Sequence, residues 1–594
     1  MKVLQRDEIS DNFKWNLEDI YKNEEDLESD LKKIETLKDE SLKLEGKLLN
    51  NRDNILKAFK LDDEIDYLFD HLFCYASMKL DQDCTQNKNK ALLEKLSNVY
   101  TKINTSLAFI SPEIVENSVE FLDKLSKDKD FKDYDYNLKK IIKDKSHTLS
   151  TKEETILVKS QKITGLFSDA FHMFDDADVK FEDFVDSNGE NVQLSHGIYG
   201  LILQTGKRED REKAFNSMFN AYKQNIDVIS TLYKGNLEQD YFYASIRNYK
   251  SCLDRATSNE DVTMDVYYKL IENIHKNLPL LHKHMSYRKK AMKYKELHMW
   301  DLHVPTIDNV DKEINYDEAK NMVLKALKPL GKEYQGLLNR AFNERWIDIY
   351  ENKGKRSGAY STGCYGVHPY VLLNYQPVLN EVFTIAHELG HSMHTYYSNL
   401  NQPFSKANYE IFVAEVASTV NETLLVMDLL KEASGDYKKY LLSYLLNMFR
   451  TTVFRQAQFA EFEEKAHKLV ENDEPITSDV LCDIYYELNK EYYGKDVVSD
   501  ELIKYEWARI PHFYRSFYVY KYSTGLISAV CIAKNILEKG EDYVENYYKK
   551  FLSSGGSMSP VEILKLAQVD LTSDEPYIKA MNFYKETLEE LDRV

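Results

Sequence analysis

The stretch His387-Glu388-Leu389-Gly390-His391 places two imidazoles four residues apart, with a carboxylate next to the first. On an α-helix that spacing puts both rings on one face, about one turn apart, where they can share a divalent ion. Glu388 then lies beside the ion, positioned to accept a proton from water rather than to bind the metal. The chemistry expected is metal-assisted hydrolysis. Chance supplies about 0.03 HExxH matches in a chain of this length and composition, so two histidines satisfied inside an ordinary helix is the weaker account.

A catalytic zinc site takes three protein ligands and keeps one position open. The extended pattern HExxHxxGxxH is absent, because His394 and Tyr397 stand where it needs glycine and histidine. Glu415 is the better third ligand. It sits in IFVAEVASTVNETLLVMDLL, an apolar helical segment in which an unpaired carboxylate is costly to bury, and an ion held by the preceding helix answers its charge. The expected site is one Zn2+ per chain on His387, His391 and Glu415, a donor set that also holds cobalt or manganese. His394 falls on the same helix face and is expected near the ion or facing substrate. Ser418 and Glu422 follow Glu415 at three and seven residues and are candidates to hold the free ring nitrogens of the ligands. Glu422 reads equally well as a solvent-facing helix residue.

Two helices must present these groups. Val382, Phe383, Ile385, Ala386, Leu389 and Met393 predict a buried apolar helix starting near Asn380. Just before it, Gly354 to Gly366 reads GKRSGAYSTGCYG and leads into Tyr370-Val371-Leu372-Leu373-Asn374-Tyr375, which predicts strand, Gly-rich turn and strand. A flexible surface loop is the plain alternative. From Leu17 to about Leu166 apolar residues recur at three and four, as in Leu27, Leu31, Ile34, Leu37 and in Leu92, Leu93, Leu96, Val99. Charged residues on the other faces read as solvated helix surface. Near Val179 the texture changes. VKFEDFV and NVQLS flank Asn188-Gly189, which predicts a small hairpin and a domain boundary beside it. The expected fold is mainly α, with a helical N-terminal domain over 1–190, a catalytic domain over 191–594 and a small β-sheet near the active site.

Composition supports that class, since only 20 Gly and 11 Pro in 594 residues leave little turn chemistry for a strand-rich fold. A chain this long exceeds a single core, which stops growing at roughly 250 to 300 residues. The formal net charge of −20 repels phosphate backbones and anionic lipid, which argues against nucleic acid and membrane partners. The opening MKVLQRDEISDNFKW has no apolar core of a signal peptide, and no apolar run approaches the ~18 residues of a membrane helix, so the cytosol is the expected compartment. Cys74, Cys84, Cys252, Cys364, Cys482 and Cys531 lie far apart without a CxxC pair, as reduced thiols do.

Several segments together carry a resemblance: WNLEDIY (Trp15 to Tyr21), GAYSTG (Gly358 to Gly363), PYVLLNY (Pro369 to Tyr375), TIAHELGHSMHTYYS (Thr384 to Ser398), IFVAEVASTVNE (Ile411 to Glu422) and HFYRSFYVYKYSTG (His512 to Gly525). With them the chain resembles the oligoendopeptidase F group of the thimet oligopeptidase family of zinc peptidases. The resemblance implies a helical shell around a deep channel, with zinc on its floor and access limited to short unstructured peptides. It implies that the strand with Gly358, Ala359, Tyr360 and Gly363 binds extended substrate, in agreement with a Gly-rich edge that offers main-chain bonds. It also implies that the loop from Pro511 supplies donors to the reacting carbonyl, which makes His512, Tyr514 and Tyr520 catalytic candidates beside Glu388. An aromatic run that only packs a core is the plain alternative there, in a chain with 43 tyrosines. The expected function is hydrolysis of internal bonds of short peptides. Its rivals are a zinc exopeptidase of dipeptidyl carboxypeptidase type and a non-catalytic peptide-binding protein, which has no need of a general base.

Overall fold

The computed structural model describes residues 3–307 and 313–594. Long stretches with apolar residues at three and four, few of them holding a Gly or Pro, fold as helices over most of the chain, and the fold is mainly α. In helix Glu24–Leu42 the residues marked by periodicity, Leu27, Leu31, Ile34 and Leu37, are all buried, and Asn23 caps the start by accepting from the N–H groups of Glu25 and Asp26. Helix α1, Arg52–Asp81, is capped in the same way by Asn51. With helix Asn87–Leu107 these elements enclose a core in which Ile34, Leu48, Ile55, Leu72, Leu96 and Ile103 are fully covered.

The predicted strand, turn and strand form, and a further strand joins them. Strands β1 (Ile347–Asp348), β2 (Tyr360–Thr362) and β3 (Tyr370–Leu372) make a sheet in the order β1-β3-β2. β3 runs parallel to β1 and antiparallel to β2, with Ser361 opposite Val371. β2 is therefore an edge strand. β1 is only two residues long, too short to show alternation in sequence. Trp15 and Leu17 pack with Tyr370 and Leu372 in one buried cluster, which accounts for the WNLEDIY start.

The chain packs as two compact units, each assembled from three stretches. Unit 1 is Met1–Ser146, Asp311–Asp428 and Ile532–Val569; unit 2 is His147–Val310, Leu429–Cys531 and Asp570–Val594. The hairpin predicted at Asn188-Gly189 forms, with Phe184–Val185 antiparallel to Asn191–Val192 and Gly189 at φ 87°. It lies inside unit 2, so the expected division into 1–190 and 191–594 does not coincide with this packing. Unit membership follows from which apolar faces meet, and those faces come from distant stretches. Phe551, for example, stacks on His394 within unit 1. No helix among the described residues is long and apolar enough to cross a membrane.

Candidate metal centre

Helix α2, Leu379–Asn401, carries the HExxH stretch, and helix α3, Ile411–Glu432, carries Glu415. The apolar residues that predicted α2 are all buried in it, from Val382 to Met393. The two helices touch at Gly390. A Cβ there would lie 2.5 Å from the Cα of Ser418 and 2.7 Å from the carbonyl oxygen of Ala417, so no side chain fits between the backbones. Near this contact the buried Asn421 donates to the Ala386 carbonyl oxygen at 3.0 Å and accepts from the Tyr334 hydroxyl at 3.1 Å. Glu415, one turn before Ser418, is thereby brought over the histidine pair.

The three expected ligands converge. His387 Nε2 and His391 Nε2 are 3.2 Å apart, and Glu415 Oε2 lies 3.5 Å from the first and 3.6 Å from the second. Bonds of roughly 2.0–2.1 Å to a tetrahedral zinc set ligand atoms about 3.3 Å apart, so the donor types and their spacing both fit that ion. Among the described residues no other group of three His, Cys, Asp or Glu side chains converges in this way. The side chains of His387, His391 and Glu415 are 28%, 19% and 33% exposed, which leaves an approach from solvent. Glu415 is thus less buried than its apolar segment suggested. The apolar face of α3 is formed by Phe412, Val413, Val416, Ala417 and Val420 instead.

Outer partners orient the rings. Glu422 Oε1 lies 2.5 Å from His387 Nδ1, and the backbone of Ala414 hydrogen-bonds the His391 ring. Ser418 does not reach a ring; its hydroxyl donates to the Glu415 carbonyl and lies 3.4 Å from the Glu415 carboxylate. Burial lowers the proton affinity of His387, but the Glu422 hydrogen bond and the carboxylates around it raise its pKa to about 9. Binding of a divalent cation replaces that proton. Burial, with the His387 charge, pushes His391 down to about 3.

Glu388 is buried beside this group, and its carboxylate accepts a hydrogen bond from the Ser361 backbone on β2. Burial pushes its pKa up to about 7, and a cation on the neighbouring donors draws it back down. The Ser361 hydroxyl meets that of Ser392 at 2.8 Å, and Ser392 donates to the Glu388 carbonyl at 3.0 Å, so strand and helix are tied at the same place. Gly358 turns the chain into β2 at φ 85°, and Asn374 donates to its carbonyl oxygen. Ala359, Tyr360 and Gly363 lie on or beside the edge strand; the Tyr360 hydroxyl donates to Asp81 at 2.6 Å.

His394 is not substrate-facing. It is fully buried, stacked on Tyr409 at 3.7 Å and on Phe551 at 5.4 Å, and neither ring nitrogen has a hydrogen-bond partner among the described residues. Burial pushes its pKa down to about 3 and keeps the ring neutral. At seven residues from His387 it shares the helix face but lies two turns away, under aromatic cover that comes from the residue 409 and 551 regions.

The aromatic candidates lie in unit 2. Phe517 adopts φ 56°, a strained value for a bulky residue, and is held there by Glu463 of helix α4 (Arg455–Glu471), whose carboxylate accepts the Phe517 N–H at 2.6 Å. Helix α5, Tyr520–Lys539, starts three residues later. Tyr518 and Tyr522 are four apart with ring centroids 5.4 Å apart, and each ring centroid is 6.0 Å from that of the exposed His512. The Tyr522 hydroxyl is 3.4 Å from His512 Nε2. Tyr520 points elsewhere: it is 1% exposed, with its ring against Tyr267, because two residues along a helix turn a side chain to the far side. Tyr514 stacks on Phe171 at 4.3 Å and its hydroxyl is buried. The exposed His512 is therefore grouped with the half-buried Tyr518 and Tyr522, and neither Tyr514 nor Tyr520 joins it. Tyr518 and Tyr522 belong to the aromatic run that the resemblance marks, though Tyr514 and Tyr520 are the candidates chosen from it; Ser361, Ser392, Gly390 and Asn421 were not singled out by the sequence, and the glycine and the asparagine inside apolar helices were the available signals.

The model of Peptidase family M3 matches residues 201–583, and the model described as Oligopeptidase F matches residues 113–181. Oligopeptidase PepF of Bacillus subtilis is 38% identical over 595 residues, covering 100% of this chain and 89% of that protein. A crystal structure from Chlamydophila abortus superposes with a TM-score of 0.93 at 34% identity, covering 99% of both chains. That of oligoendopeptidase-F from Enterococcus faecium gives a TM-score of 0.75 at 32% identity, over 96% of this chain and 99% of that one. Full-length likeness at this identity, around a converged His-His-Glu group, leads to one conclusion: the chain belongs to peptidase family M3, in its oligoendopeptidase F group, and is a metalloendopeptidase that acts on oligopeptides.

Proposed function

We propose that this metallopeptidase uses zinc and hydrolyses internal bonds of short, unstructured peptides, with Glu388 as general base. The observation that carries the reading is the 3.2 Å, 3.5 Å and 3.6 Å spacing of the two ring nitrogens and the Glu415 oxygen. Zinc bound there supplies Lewis acidity to water and to the scissile carbonyl. Glu388, oriented by the Ser361 N–H on its carboxylate, accepts the proton of the attacking water and passes it to the leaving amine as the C–N bond breaks. The free edge of β2 offers main-chain groups to an extended peptide. Within unit 2, His512 and Tyr522 are neighbouring donors with the chemistry to bind a substrate oxygen. Partial desolvation of the ring, with the Arg515 charge nearby, lowers the pKa of His512 and favours the neutral form, which still has an N–H to donate. Tyr522 takes the place of Tyr520 because Tyr520 is buried.

The test is an internally quenched peptide blocked at both ends. Cleavage at an internal bond, loss of activity with a chelator, return with Zn2+ and one zinc per chain by metal analysis support the reading. Turnover that survives complete metal removal sinks it. Glu422 adds a separate expectation. Glu422→Gln weakens the bond that fixes the His387 ring, and zinc affinity is expected to fall by about 10- to 100-fold in chelator competition, with some loss of metal-free stability as the ion pair to protonated His387 goes. Unaltered affinity would mean that the ring is held without help from this carboxylate.

A further inference from the structure

Beside the edge strand β2 runs a groove of about 500 Å3, entirely within unit 1. Its other wall is one face of α1, where Asp70, Phe73, Ser77 and Asp81 recur at helical spacing. Residues Tyr360 to Gly363 line the near side, and the backbone of Ser361 in that stretch hydrogen-bonds the Glu388 carboxylate. On the reading proposed above, a peptide laid along β2 would therefore project side chains into this groove next to the bond being cut.

The charges in the groove are unequal. Asp81 is answered by Arg356 at 3.0 Å and by the Tyr360 hydroxyl at 2.6 Å. Asp70 accepts one hydrogen bond, from the Tyr365 N–H at 2.8 Å, and among the described residues it makes no ion pair. Burial, only partly offset by that N–H, pushes the Asp70 carboxyl above its usual range. Asp66, one turn earlier on α1, adds to the negative potential rather than relieving it. Phe73 and Met78 supply apolar wall against which the alkyl stem of a long cationic side chain can lie.

We infer that this groove is a side-chain subsite that favours lysine or arginine in the substrate, with Asp70 as the residue that sets the preference. The inference rests on the peptidase reading and goes beyond it in naming the charge of the substrate residue. An ammonium group could also come from a free peptide N-terminus, so the test uses N-acetylated peptides, in which only a side chain can supply it.

The experiment compares quenched, N-acetylated peptides that differ only in carrying Lys, Gln or Glu at each position in turn, read as kcat/KM on the intact enzyme. At one position Lys is expected to exceed Glu by about tenfold, with Gln between them. Asp70→Asn should bring that ratio to within about twofold of one, and Asp70→Lys should invert it. A fraction of misfolded enzyme cancels from a ratio measured on one preparation, so the readout stands even if a variant is less stable. A ratio near one at every position, or one that is unchanged in Asp70→Asn, overturns the inference, as does a cationic preference confined to peptides with a free N-terminus. Failure of the unmodified enzyme to cut even the Gln peptides is a different result, which sinks the peptidase reading itself.

Discussion

Replacing Glu388 by Gln is expected to lower kcat by about 1000-fold or more while leaving one metal ion per chain. Gln keeps the shape of the side chain and one oxygen that can still accept the Ser361 N–H, so the tie between β2 and α2 survives. What it loses is the ability to take a proton. Glu388 is also absent from the group of three donors that converge, so its loss removes no ligand. Metal analysis, the melting temperature and single-turnover cleavage of a quenched peptide together check the prediction. Turnover within a few fold of the unmodified enzyme removes Glu388 from the proton-transfer role; loss of metal makes it a ligand after all.

Gly390→Ala is expected to disable the site from a position that touches neither metal nor substrate. The added Cβ would sit 2.5 Å from Ser418 Cα, 2.7 Å from Ala417 O and 2.8 Å from Ser418 N, all backbone atoms that cannot swing aside. Helices α2 and α3 must separate, and the Glu415 oxygen withdraws from the two imidazoles, although a zinc site tolerates only about 0.2 Å of error in its bonds. Overpacking of this kind costs about 1–3 kcal/mol of stability. Zinc affinity should fall by at least about 100-fold in chelator competition, and activity at limiting zinc should fall with it. The comparison is Gly336→Ala, at an exposed position of the half-buried helix Gly331–Asn343 where an added Cβ meets nothing within 4 Å, which should raise stability by about 0.5–1 kcal/mol and leave zinc binding alone. Unchanged zinc affinity in Gly390→Ala would show that the helix contact does not set the ligand spacing.

Much of the reactive chemistry is readable along the chain because it depends on local period. The spacing of His387 and His391 is a one-turn statement. The apolar residues from Val382 to Met393 declare the helix that makes it true. Glu415 can be chosen as a carboxylate standing in an apolar segment, and the donors do converge, although its side chain proves one-third exposed. The helical texture of the first 166 residues and the Asn-Gly hairpin are likewise properties of short windows. The same local signal misleads for His394: it shares the face of the ligating histidines, yet Tyr409 and Phe551 close over it.

By itself, the sequence determined the helical class, the metal-binding residue types and their turn-by-turn spacing, because backbone geometry converts residue number into direction. Only the tertiary structure decided what covers each face. It showed that Gly390 is where two helices meet, that Ser361 on an edge strand holds Glu388, and that Tyr522 rather than Tyr520 accompanies His512. It also assembled each unit from three separate stretches of chain. Periodicity records which side of a helix is apolar, but the partner for that side is selected by shape and packing among segments far apart in the chain, and no local pattern encodes that choice.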